Sequence, residues 1–84
     1  MNVITMQTTQ TKQSAAARYT ELQAESKDLL KRIAARLAKH QQKQSAEPAD
    51  WGYVGDMGRV NEQLAYVLAS LGDHSAVDAK GLEY

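Results

Sequence analysis

Read at helical spacing, residues 14–44 place Ala15, Tyr19, Leu22, Ser26, Leu29, Leu30, Ile33, Leu37, His40 and Gln44 along one side. The mean step is about 3.6 residues, the period of a straight helix rather than the 3.5 of a strict left-handed coiled coil. The stretch has no Pro and no Gly and is rich in good helix formers. Thr11 or Ser14 is placed to cap its first turn with a side-chain oxygen. Asp28 has Lys31 and Arg32 within ion-pair spacing, and Lys39 and Lys43 stand near the end where cations complement the helix dipole. The pattern predicts a long helix over residues 14–44.

Pro48 and the residue before it end that helix, because proline cannot continue it and pushes its predecessor out of the α region. A second helical period runs through Met57, Val60, Leu64, Val67, Leu68 and Leu71. Asp56 precedes it as a candidate N-cap and Gly72 follows it as a candidate C′ residue. This predicts a helix over residues 57–71 after a connection over 45–56. Trp51, Tyr53 and Val54 make that connection ordered rather than a loose linker. A start at Asp50, with Gly52, Gly55 and Gly58 on one face, is the alternative. Each glycine weakens a helix by about 1 kcal/mol relative to alanine, which favours the later start. Residues 1–13 lack periodicity and are expected to be a disordered or frayed lead; residues 73–84 are expected to be a flexible tail.

The lengths then matter. A helix of about 30 residues is roughly 45 Å long, and one of about 15 residues roughly 22 Å. Folded back antiparallel, the short helix covers only the C-terminal half of the long stripe, around Leu29, Leu30, Ile33, Leu37 and the Trp51 ring. Ala15, Tyr19 and Leu22 are left without an intrachain partner, an incentive to associate. The expected fold is all-α: a two-helix antiparallel hairpin with one long and one short helix, completed as a four-helix bundle-like homodimer.

Composition narrows the rest. Eighty-four residues make one small domain, in a size range where a single core is barely sufficient. Cysteine is absent, so disulfides and thiolate metal sites are excluded. No apolar run has the length of a membrane span. The first residues lack the basic and apolar regions of a secretory signal, so a cytoplasmic location is expected. Net charge is zero, but residues 1–44 hold eight Lys and Arg against three Asp and Glu, while residues 45–84 hold two against seven. Oppositely charged halves pair with each other or present two different surfaces.

No constellation points to chemistry. His40 lies on the stripe without a second His or a convergent carboxylate in sequence, which reads as a partly buried, hydrogen-bonded histidine. The glycines between 52 and 58 lack the Lys-Ser/Thr of a phosphate loop. No nucleophile, base and orienting acid are placed together, so no enzyme, cofactor or metal is expected. Arg32, Arg36, Lys39 and Lys43 form a basic row beside the stripe. It reads first as a solvated face and second as a nucleic-acid contact. Tyr66 stands off the stripe between Ala65 and Ala69, either simply exposed or an interface residue.

The expectation is a small non-enzymatic interaction protein that self-associates and binds a protein partner. Ala15, Tyr19, Leu22, Trp51, Tyr53 and Tyr66 are its candidate interface residues. The alternatives are a nucleic-acid-associated accessory protein using Arg32, Arg36, Lys39 and Lys43, and an inhibitor or decoy of a larger complex.

Overall fold

The structure, a computed structural model, describes residues 13–83. Those residues are all-helical, with three helices and no strand among them: α1 (Ala15–Ala46), α2 (Trp51–Ser70) and α3 (Ser75–Lys80). The expected N-terminal lead, apart from Gln13, lies outside the described residues. The chain divides into two compact units, one ending at Lys39 and the other beginning at His40, within α1.

Ser14 caps α1. Its Oγ accepts from the Ala17 N–H at 3.1 Å, and its carbonyl accepts from Arg18 N at 3.0 Å. The Asp28 carboxylate meets Arg32 Nε at 3.1 Å, one turn along, as the spacing predicts. Glu21 accepts from Gln13 and from Arg18, and these two hydrogen bonds, the Gln13 one foremost, hold its carboxyl below the ordinary value. None of α1 is buried. Leu29, Leu30 and Ile33, expected under the second helix, are exposed along with Tyr19 and Leu22.

The connection is shorter than the periodicity predicts. Glu47 N donates to Gln44 O at 3.0 Å and Asp50 N donates to Glu47 O at 3.1 Å, so the chain turns within residues 47–50. Asp50, in extended conformation, is the N-cap of α2 and accepts from Gly52 N at 2.8 Å. A Cβ at position 52 would stand 3.0 Å from that same carboxylate oxygen, so glycine makes room for the cap. The second helix therefore starts at Trp51, not at residue 57, and Asp56 is inside it rather than its cap. Helix propensity is a weak prior, and a capping carboxylate together with packing outweighs three glycines.

The end of α2 follows the sequence closely. Gly72 has φ +104, Gly72 N donates to Ala69 O at 2.9 Å, and Asp73 N donates to Leu68 O at 3.1 Å. This is the paired hydrogen-bond closure that a left-handed C′ glycine makes possible. Asp73 then accepts from the Ser75 N–H and hydroxyl at 3.0 and 2.6 Å, starting α3. Those bonds, the hydroxyl first, hold the Asp73 carboxyl below its ordinary value. The same closure recurs after α3: Gly81 has φ +69, Gly81 N donates to Asp78 O at 3.1 Å, and Leu82 N donates to Val77 O at 2.9 Å.

Residues 73–84, expected as a flexible tail, thus carry the helix that makes the core. Among the described residues, Ala65 and Ala69, one turn apart on α2, and Val77 of α3 are buried, with Tyr66, Ala76 and Leu82 packed around them. Two alanines at i and i+4 leave a shallow face on which a short helix can sit close. The expected α2 stripe is half-buried at Met57, Val60 and Leu64, but Val67, Leu68 and Leu71 are exposed. Contact with α3 uses the alanine side instead. Val77→Ala removes the side chain that locks α3 down and is expected to weaken its docking by roughly 1–3 kcal/mol. Amide exchange at Gly81 and Leu82 should accelerate at least about fivefold for that change, and unaltered protection there would contradict this packing.

Candidate interaction surfaces

The residues singled out from sequence separate into an open set and a half-buried set. Ala15 and Leu22 are exposed on α1, and so is Tyr19, whose hydroxyl accepts from Gln23 Nε2 at 2.8 Å. Trp51 is 79% exposed at the first position of α2, and Val54, one turn on, is 54% exposed. An indole left that open, beside a valine on the same helix face, is an apolar patch rather than a packed anchor. Tyr53 and Tyr66 make up the second set, and both are half-buried. Tyr66 packs against the cluster of Ala65, Ala69 and Val77, which answers why a tyrosine stands among small residues.

Tyr53 joins a polar constellation that bridges two helices. His40 Nε2 lies 3.1 Å from Asp56 Oδ2, and Arg59 donates to the other oxygen of that carboxylate at 3.1 Å. The Tyr53 and His40 rings meet edge to face, with centroids 5.3 Å apart and planes at 86°. His40 is 25% exposed at its side chain and hydrogen-bonded, as its place on the stripe suggested. The carboxylate fixes which ring nitrogen points at it, and the ring contact fixes the plane. Together they tie the last turns of α1 to the first turns of α2. Partial withdrawal from water raises the Tyr53 hydroxyl above its ordinary value, and the negative charges of Glu47, Asp50 and Asp56 with a hydrogen bond to Glu47 add to it.

This group orients a ring and bridges two helices. Asp56 was not visible in this role from sequence, because sixteen positions separate it from His40 and no local spacing announces the pair. Among the described residues no three His, Asp, Glu or Cys side chains stand together as a metal set, and no helix is long and apolar enough to cross a membrane.

The basic row is on the surface. Arg32 is held by Asp28, whereas Arg36, Lys39 and Lys43 are exposed and enter no ion pair among the described residues. Residues at these positions share one side of α1.

No family model, curated protein or solved structure matches the chain.

The raised Tyr53 hydroxyl carries a pH consequence with a definite sign. Its stabilising contribution is complete below the ordinary tyrosine value of 10.0 and is lost as pH rises through the higher folded-state value. In an alkaline titration followed by tyrosine absorbance, a late phase above the ordinary tyrosine range should accompany loss of helix at residues 51–56. Tyr53→Phe should delete that late phase; its survival would assign it elsewhere.

Proposed function

We propose that the chain is a small non-enzymatic helical interaction protein, self-associating through α1 and binding a protein partner. The observation that supports this reading is the open stripe. Tyr19, Leu22, Leu29, Leu30 and Ile33 all face water at helical spacing on a helix with no buried residue. An isolated helix draws most of its stability from packing an amphipathic face, so a 32-residue helix in this state lacks its largest stabilising term. Burial of such a side chain is worth about 1.5–3 kcal/mol. In this reading the helices close as an antiparallel hairpin and a second copy completes a four-helix arrangement. Trp51 and Val54 remain on the outside as the contact for a different protein. An exposed tryptophan is the residue type that most often dominates such contacts.

Light scattering coupled to size exclusion at micromolar concentration tests the self-association. A dimer of the 9.3 kDa chain is expected. Leu22→Glu with Leu29→Glu should convert it to monomer and lower the helix content seen by circular dichroism. A monomer with a cooperative thermal transition in the unsubstituted chain would end this reading.

A second reading has its own observation. Residues 31–43 hold Lys31, Arg32, Arg36, Lys39 and Lys43 and no acidic residue, and Arg36, Lys39 and Lys43 form an exposed row without ion pairs among the described residues. Such a row suits phosphate contact by a nucleic-acid-associated accessory protein. A mobility shift with duplex DNA or RNA that weakens steeply with salt, and is lost when Arg32, Arg36, Lys39 and Lys43 become alanine, is its expected signature. No shift at low salt would exclude it.

A further inference from the structure

Resting on the self-association proposed above, we infer that α1 pairs with α1 of a second copy in antiparallel orientation, with the two-fold axis between Leu29 and Leu30. Two independent features carry this, one of shape and one of charge.

The stripe reads the same in both directions from that point. Turned end for end, Leu29 falls opposite Leu30, Ser26 opposite Ile33 and Leu22 opposite Leu37, each meeting occurring twice by symmetry. Four of these six side chains are exposed apolar groups, and Leu37 keeps an open edge. Ser26, the one small polar position near the middle, meets the β-branched Ile33, so a small residue faces a large one on both sides of the axis.

Charge selects the orientation. Within α1, residues 15–28 carry Arg18 and Lys27 against Glu21, Glu25 and Asp28, whereas residues 31–43 carry five cations and no acid. A parallel pair sets five cations beside five, which is repulsive along half the interface. An antiparallel pair sets them beside the only acidic residues of the helix. Glu25 and Arg36 flank the stripe on one side and fall within a turn of each other, and Glu21 falls one position from Lys39. Arg18 falls near Lys43 of the second copy, a like-charge approach that Glu21 softens by holding Arg18 at 3.0 Å. Exposed pairs of this kind add little affinity, but they decide between two otherwise equal arrangements of one apolar stripe.

The absence of cysteine makes the orientation directly measurable. Ala16→Cys and Gln41→Cys place a single nitroxide on exposed positions of one flank, near opposite ends of α1. At 1.5 Å rise per residue, antiparallel pairing separates like labels by about 40 Å at position 16 and about 35 Å at position 41. Mixing the two variants should then give a short intermolecular distance, under about 20 Å, set by helix-to-helix spacing and the label tethers. Short distances between like labels at both positions would overturn this arrangement while leaving self-association intact. No intermolecular dipolar coupling at any concentration up to the millimolar range would overturn both this arrangement and the reading it rests on.

Discussion

An α-helix cannot shield its own apolar face, and the longest helix here carries that problem along most of its length. Nothing in α1 is buried, although its Leu, Ile and Tyr side chains recur at the helical period. Hydrophobic burial is the dominant favourable term in folding, and the ordering of each residue opposes it by about 1–2 kcal/mol. Over most of its length α1 leaves its stripe in water and is held by its backbone ladder, its Ser14 cap and exposed ion pairs worth a few tenths of a kcal/mol each, with His40 near its end tied to Asp56 and Tyr53. The stripe is therefore the feature from which the functional reading is built.

The segment from His40 onward meets the same constraint with little material. Its fully buried set is Ala65, Ala69 and Val77, a core far too small to order a chain alone. Geometry substitutes for volume. A tight turn at residues 47–50, a capping Asp50, the His40–Asp56–Arg59 tie and two glycine-closed helix ends fix the path with hydrogen bonds. Each is modest, about 0.5–1.5 kcal/mol net, and each narrows where the next element can go. Val77 and Leu82 then seal the alanine face, the contact that accompanies a helix end of this type.

The candidate interface residues were legible in proportion to how local their signals are. Tyr19, Leu22 and the basic row follow from position on one helix, and all are at the surface. Trp51 was expected to be ordered against the long stripe because an indole is costly to leave in water, yet it stands open, on a helix rather than in a loop. Tyr53 was read as part of an ordered connection and Tyr66 as a tyrosine off the second stripe. The fold half-buries both, because His40 and Val77, distant in sequence, arrive beside them. No pattern of spacing within α2 carries that information.

Periodicity and end signals, which depend on neighbours within a turn or two, were enough to determine the all-helical class, the long stripe and the stop at Gly72, and to narrow the first cap to Thr11 or Ser14. Only the tertiary structure decided that α2 begins at Trp51, that Asp56 holds His40 rather than capping a helix, and that residues 75–80 form a helix at all. Six residues are too few for a helix to persist by itself, since nucleation costs more than a single turn returns. Val77 reaching Ala65 and Ala69 supplies what local propensity lacks, and that contact exists only once the chain has turned back at Gly72.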